Sequence, residues 1–161
     1  NETAQNNLKK ILVSNDIDPN RMIFAGRLPH SEHIIRLGLA DLFLDTFPCN
    51  AHTTASDALR SSLPIITIKG NSFASRVASS LLSSLDLEEL ITKSVKEYEE
   101  LAVKIAENKN FYKDIKDKLK KNIIDMPLFN SKLFTKKLET AYLEVYKNYI
   151  EDKKPKTIEI N

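Results

Sequence analysis

Residues 41–68 read DLFLDTFPCNAHTTASDALRSSLPIITI, and this stretch decides the fold. Its first apolar run, at 41–45, predicts a strand, and the run at 64–68 predicts a second strand that is rich in β-branched residues. Between them, apolar residues at helical spacing predict a helix over 54–61. Strand, helix and strand in this order favour a right-handed βαβ unit in a parallel sheet.

The rest of the chain continues the alternation on both sides of this stretch. Further strands are predicted at 21–26 and at Leu90 and Ile91, and further helices at 3–14, 30–37 (with Ser31 as its candidate N-cap), 73–85, 95–108, 111–124 and 131–150. The predicted fold class is therefore α/β, a Rossmann-like parallel sheet flanked by helices with a helical C-terminal extension. We expect residues 1–93 to form the Rossmann-like lobe, 94–151 to be helices packed on it, and 152–161 to be a flexible tail.

Composition narrows the class of protein. The 161 residues are 42% hydrophobic and 29% charged with a net charge of +2, which is typical of a soluble globular domain and gives no argument for nucleic acid or membrane binding. No apolar run has the ~20 residues of a membrane span. Only three glycines are present, and neither a G-x-G-x-x-G fingerprint nor a Walker loop occurs, which counts against dehydrogenases and P-loop NTPases. The absence of an initial methionine predicts a piece of a longer protein.

The single cysteine, Cys49, excludes an internal disulfide and a metal site with several cysteine ligands. A reducing, cytoplasmic setting is the natural interpretation. Cys49 could act as a nucleophile, but a lone cysteine beside a turn is more often a small buried residue, and we expect the latter.

His52, Thr53 and Thr54 lie where the strand at 41–45 gives way to a helix. In parallel sheets ligands bind outside the carboxyl ends of the strands. A helix that starts near Thr53 offers unpaired backbone N–H groups and roughly half a positive charge, and two hydroxyls and an imidazole add donors suited to a diphosphate. The alternative is a threonine that only caps the helix, which is a common arrangement.

A second candidate site follows the predicted strand at 21–26. His30 and His33 are three residues apart and would share a helix face, where an imidazole can stack on a flat base, and Arg36 can reach an anion or a base edge. No third residue has the spacing of a metal ligand. From this stretch alone, a surface helix with two ordinary histidines is the favoured interpretation. Asp57, four residues after Thr53, could accept hydrogen bonds from ribose hydroxyls or be an exposed charge.

Longer stretches carry a family resemblance. The run 37–54 (LGLADLFLDTFPCNAHTT) resembles the C-terminal catalytic lobe of the O-linked N-acetylglucosamine transferases, a family that includes SPINDLY-like members, and 56–59 (SDAL), 63–64 (LP), 73–80 (FASRVASS), 97–99 (EYE) and 127–130 (PLFN) continue the match in register. It extends from about Asn6 to Tyr149. The resemblance implies the C-terminal half of a glycosyltransferase B fold and transfer of GlcNAc from UDP-GlcNAc to Ser or Thr of an acceptor protein, with inversion.

The same resemblance implies roles for individual residues of a nucleotide-sugar-binding lobe. His33 would pack on the uracil, the Leu28 backbone and the Arg36 neighbourhood would hold the base edge, and Asp57 would hold the ribose. The diphosphate, which leaves in the reaction, would be bound and stabilised by His52, Thr53 and Thr54, and His30 stands where the family usually has a lysine that reaches the ribose or phosphate. No cofactor and no metal are implied. The N-terminal lobe and tetratricopeptide repeats would precede this chain, so the isolated fragment should not turn over.

Three departures from the family pattern keep other functions open. Besides His30, Ala51 replaces the usual glycine and Arg60-Ser61-Ser62 replaces the usual Trp-Ala-Gly. A glycine position that needs a positive φ would strain an alanine. The alternatives are a non-catalytic binding or scaffolding module, with the Lys/Glu-rich C-terminal helices on a partner, and a transferase that uses GDP-fucose or UDP-glucose.

Overall fold

The computed structural model describes residues 1–160. In chain order the regular elements are α1 (Glu2–Ser14), α2 (His30–Leu37), β1 (Phe43–Leu44), α3 (Thr53–Arg60), β2 (Ile65–Ile68), α4 (Val77–Ser83), β3 (Ile91–Thr92), α5 (Val95–Glu107), α6 (Lys109–Asp125) and α7 (Ser131–Ile150). Short 3-10 helices span Pro19–Arg21, Glu88–Leu90 and Pro127–Phe129. The chain forms two compact units, residues 1–33 and residues from Ile34 onward.

The three strands form one parallel sheet in the order β1-β2-β3, which confirms the predicted α/β class. Phe43 pairs with Ile65 on one side of β2, and Ile68 pairs with Thr92 on the other. All four residues of β2 are buried, as expected for a central parallel strand covered on both faces. The carboxyl ends of β1, β2 and β3 therefore meet at one edge of the sheet.

The hydrophobic core of the larger unit lies between this sheet and helices α3 to α6. Its fully enclosed leucines come from α3, α4, α6, the second 3-10 helix and the loops, and include Leu59, Leu63, Leu82, Leu85, Leu87, Leu90 and Leu119. Truncation of such a leucine to alanine typically costs about 2–5 kcal/mol. Since Ile105 of α5 and Leu119 of α6 belong to the same cluster, α5 and α6 pack on the sheet. The predicted domain boundary at residue 93 stays a prediction.

The smaller unit, residues 1–33, contains α1 and the first 3-10 helix. The Asn1 side chain caps α1 by accepting a hydrogen bond from the Ala4 N–H at 2.9 Å, and Asp18 caps the 3-10 helix in the same way through Asn20. α1 is therefore stabilised locally, since it contributes no buried residue.

The predicted strand at 21–26 is wrong. Arg21 ends the 3-10 helix, residues 22–29 have no regular structure, and Ile23 is 85% exposed. An apolar run becomes a strand only where a neighbouring strand offers a ladder of hydrogen bonds, and the sheet pairs β1 with β2 and β2 with β3 alone among residues 1–160. The predicted site at 28–36 consequently follows a loop rather than a strand.

One predicted N-cap and the start of one helix differ from the structure. α2 begins at His30, as predicted, but the His33 N–H donates to the Pro29 carbonyl, so Ser31 lies inside the first turn rather than at the N-cap. α4 begins at Val77 instead of residue 73. Before it, the hydroxyls of Ser72 and Ser75 bond each other and nearby backbone, which competes with helix formation.

α3 ends in a Schellman motif. The Ser62 N–H donates to the Leu59 carbonyl and the Leu63 N–H to the Ala58 carbonyl, both at 2.9 Å. Ser62 adopts φ 60°, the left-handed conformation that usually takes glycine. This is the position where the family resemblance expects the glycine of Trp-Ala-Gly.

Candidate functional site at the carboxyl edge of the sheet

The segment between β1 and α3 is held by the buried carboxylate of Asp45. One carboxylate oxygen accepts from the N–H of Thr46 at 2.9 Å and from the N–H of Ala51 at 2.7 Å. The other accepts from the hydroxyl of Thr67 at 2.6 Å. Asp45 is only 6% exposed, so a charged group is satisfied by three donors rather than by water. Asp45 therefore holds together the two ends of the loop at 46–51, and the second end, Ala51, directly precedes His52.

Tyr98 of α5 fixes the same point from the other side. Its hydroxyl donates to the Asp45 carbonyl oxygen at 2.9 Å. Burial, together with the nearby Asp45 charge, raises the pKa of Tyr98 to about 12. The phenol is therefore protonated, and able to donate, across the physiological pH range.

Asn50 adds a second buried polar anchor. Its side-chain amide donates to the carbonyl of Thr46 at 3.1 Å, and its backbone N–H donates to the carbonyl of Ala74 at 2.9 Å. Its side-chain oxygen is buried without a hydrogen-bond partner among residues 1–160. These contacts join the loop before α3 to the loop before α4.

The first turn of α3 is open. The helix begins at Thr53 with His52 at the N-cap, and the His52 side chain makes no capping hydrogen bond. The first helical bond runs from the Ser56 N–H to the His52 carbonyl, and within residues 1–160 the N–H groups of Thr53, Thr54 and Ala55 have no acceptor. The interpretation of a threonine that only caps its own helix is wrong, because the threonines occupy the first two helical positions.

Three polar side chains surround this open helix end. His52, Thr53 and Thr54 are all exposed, and neither threonine hydroxyl bonds another described residue. The His52 ring packs edge-to-face on Phe73, with centroids 5.9 Å apart, which orients the imidazole. The arrangement concentrates N–H and O–H donors at the positive end of a helix dipole and can bind an anion such as a phosphate.

Ala51 fits its position without strain. Positive φ values occur at four non-glycine residues of the described chain, and Ala51 is not among them. The alanine that replaces the family's usual glycine therefore does not distort the loop, and its N–H is engaged by Asp45.

The remaining predicted site residues lie on α3, on α2 and in the loop before α2. Asp57 is half-buried on the second turn of α3, four residues after Thr53. Arg36 is half-buried near the end of α2. In the smaller unit, His30 and His33 lie about one turn apart on α2, and Leu28 lies in the loop before it. The roles assigned to these five residues stay predictions.

Several residues at this edge were not predicted from the sequence. The conformation of the loop before α3 depends on Asp45, Thr67, Asn50 and Tyr98. Of these four, only Asp45 could have been recognised from the sequence. An acidic residue directly after a buried apolar strand must find donors when it is itself buried. Cys49, expected to be buried, is exposed, and its thiol donates a hydrogen bond to the Asn50 carbonyl, with 3.8 Å between sulfur and oxygen.

Among residues 1–160, no three His, Cys, Asp or Glu side chains converge in a way that could hold a metal ion. None of the helices there combines the length and the hydropathy that a bilayer-spanning segment requires.

Together, the sheet and the open helix end define a parallel α/β protein, a class in which ligands bind beyond the carboxyl ends of the strands. Comparison with known proteins gives the family. The model of glycosyl transferase family 41 matches residues 2–138, and the chain therefore belongs to that family.

Two relatives and one solved structure give the extent of the likeness. The chain is 35% identical over 145 residues to a probable UDP-N-acetylglucosamine--peptide N-acetylglucosaminyltransferase SEC of Arabidopsis thaliana. The aligned stretch covers 89% of this chain and 15% of the plant protein. It is 32% identical to the UDP-N-acetylglucosamine--peptide N-acetylglucosaminyltransferase of Caenorhabditis elegans, over 91% of this chain and 13% of that protein.

The fold of a Thermobaculum terrenum O-GlcNAc transferase mutant (K341M) superposes with a TM-score of 0.81 at 24% identity, covering 92% of this chain and 28% of that one. The chain thus spans about one seventh of the length of the curated relatives it matches. The predicted resemblance to the C-terminal lobe of this family is confirmed.

Proposed function

We propose that this chain is the donor-binding lobe of a protein O-GlcNAc transferase-like glycosyltransferase, which transfers GlcNAc from UDP-GlcNAc to Ser or Thr of an acceptor protein. The observation that carries the proposal is the open start of α3, where three backbone N–H groups lack an acceptor next to the exposed His52, Thr53 and Thr54. A diphosphate carries the oxygen acceptors that such a cluster of donors satisfies.

The same cluster would assist the reaction. As the bond between the sugar and the diphosphate breaks, negative charge develops on the leaving UDP. Donors that are fixed before the reaction stabilise that charge without reorganisation. In this lobe the fixing is done by Asp45, which closes the loop through the Ala51 N–H, and by the helix itself. We propose that these donors replace a metal ion, so that UDP binds without Mg²⁺.

The other predicted contacts complete the donor site in this proposal. His33 packs on the uracil, the Leu28 backbone and Arg36 hold the base edge, Asp57 accepts from the ribose, and His30 reaches the ribose or phosphate. The whole enzyme would also contain an N-terminal lobe with the acceptor cleft, preceded by tetratricopeptide repeats, and would act in the cytoplasm. The much greater length of the relatives supports a larger whole protein.

Calorimetric titration of the chain with UDP, with and without Mg²⁺, tests the proposal. Thr53→Ala combined with Thr54→Ala should weaken binding at least tenfold, since two hydrogen bonds to a charged ligand are removed. Thr140→Ala in α7 is a matched control, because its hydroxyl bonds only the Lys136 carbonyl, and it should bind as the unaltered chain does. Absence of heat at millimolar UDP would favour the non-catalytic module instead.

Competition among UDP-GlcNAc, UDP-glucose and GDP-fucose identifies the donor. We expect UDP-GlcNAc to displace UDP most effectively. Preferential displacement by GDP-fucose would place the enzyme in the branch that uses a different nucleotide sugar.

A further inference from the structure

A cavity of about 530 Å³ lies along α4. Its lining includes Lys69, Phe73 and Arg76 together with three serines of α4, Ser79, Ser80 and Ser83. Its volume lies in the usual range for ligand pockets. Lys69 directly follows β2, and its backbone N–H donates to the Thr92 carbonyl at 2.9 Å, so this wall of the cavity is fixed at the carboxyl edge of the sheet.

The charge of the cavity is one-sided. Lys69 and Arg76 both line it, and no Asp or Glu does. Neither cation forms an ion pair with a residue in the described part of the chain. The Arg76 Nε donates to the Ser72 carbonyl at 3.3 Å, which orients the guanidinium and leaves its two terminal nitrogens available.

Phe73 connects the cavity to the open helix end. Its side chain is 75% exposed, which is unusual for a phenylalanine, and its ring packs edge-to-face with the His52 ring. A ligand bound along the cavity would therefore contact the Phe73 ring and lie beside the residues proposed to bind the diphosphate.

We propose that this cavity binds acidic side chains of the acceptor protein next to the modified Ser or Thr, an inference that rests on the proposed function. The two cations pair with Asp or Glu carboxylates of the acceptor, and Phe73 packs on its aliphatic groups. A free inorganic phosphate would use the cations but neither the aromatic surface nor most of the volume. Single-stranded nucleic acid could also stack on Phe73, but a net charge of only +2 gives no argument for the extended basic groove that tracks a phosphate backbone.

The test measures fluorescence anisotropy of a labelled Ser-containing peptide with glutamates flanking the serine, and of the same peptide with glutamines in their place. The chain should bind the glutamate peptide about tenfold more tightly at low salt, and added salt should reduce the difference. Lys69→Glu combined with Arg76→Glu should abolish the preference. Lys120→Glu combined with Lys121→Glu on α6 is the matched control, because both lysines are exposed and the change in net charge is the same.

UDP titration of each variant distinguishes failure of the cavity inference from failure of the donor-binding proposal. UDP binding without any preference for the glutamate peptide overturns the cavity inference and leaves the proposed function standing. Conversely, the unaltered chain could prefer the glutamate peptide, lose that preference in the Lys69/Arg76 variant, and yet fail to bind UDP. That result would support an acidic-peptide site and overturn the donor-binding proposal. Equal loss of the preference in the Lys120/Lys121 variant would show a net-charge effect and overturn the inference, as would tighter binding of a single-stranded oligonucleotide than of the glutamate peptide. Circular dichroism verifies that each variant is folded.

Discussion

The Thr67 hydroxyl donates a 2.6 Å hydrogen bond to the Asp45 carboxylate, and this bond joins the central strand to the loop that leads into α3. Thr67 is fully buried and Asp45 nearly so. The loop that leads into the start of α3 is thus anchored by a buried residue of the central strand, and we expect the proposed anion site there to depend on that anchor.

Thr67→Val tests this dependence. The substitution keeps the shape but removes the donor, which leaves one oxygen of a buried carboxylate without a partner, so the free energy of unfolding should fall by about 1–3 kcal/mol. UDP binding should weaken as the loop loosens. Urea unfolding and calorimetry measure the two effects. Thr67→Ser keeps the hydroxyl and should retain most of the UDP affinity, whereas an unaltered affinity in Thr67→Val would refute the link.

The raised pKa of Tyr98 predicts a pH dependence of stability. The phenol titrates at 10.0 when unfolded and at about 12 when folded, so the folded chain holds the proton more tightly. Its contribution to stability is complete below pH 10 and is lost as the pH rises toward 12. The stability advantage of the unaltered chain over Tyr98→Phe should therefore be constant below pH 10 and shrink above it. A constant difference through pH 12 would contradict the assignment.

Ser62 offers a stabilising substitution. Because its φ is 60°, Ser62→Gly removes the cost of a side chain in the left-handed region and should stabilise the chain by about 1 kcal/mol, or roughly 3 °C in Tm. The neighbouring Ser61, with φ −82°, has no such strain, and Ser61→Gly should be neutral or destabilising. Calorimetric melting of both variants decides the point, and equal shifts in Tm would exclude the conformational explanation.

Gly70 cannot carry a side chain without a local change. A Cβ there would overlap the Ser75 side chain, at 2.6 Å from its Cβ, and would lie 3.1 Å from the Phe47 ring. We expect Gly70→Ala to lower the free energy of unfolding by about 1–3 kcal/mol. Gly26→Ala, with no atom within 4 Å of the added carbon, should change it by no more than about 0.5 kcal/mol. Denaturant midpoints of the two variants provide the comparison.

The sequence predicted the elements whose signals are local. The start of α3 lies one residue from its predicted position, because apolar spacing and the preceding strand are both readable within about ten residues. The Asp45 network was not predictable in the same way, since its partners Thr67 and Tyr98 lie 22 and 53 residues away along the chain. The false strand at 21–26 has the same origin: composition reports apolarity but not whether a ladder partner exists.

The exposed thiol of Cys49 has a practical consequence. It is the only thiol in the chain and lies three residues before His52. A maleimide dye would therefore attach at one defined position near the N-terminal end of α3, with no other cysteine to remove first. Changes in the emission of that dye would report occupancy of the neighbouring helix end in real time, for nucleotides and peptides alike.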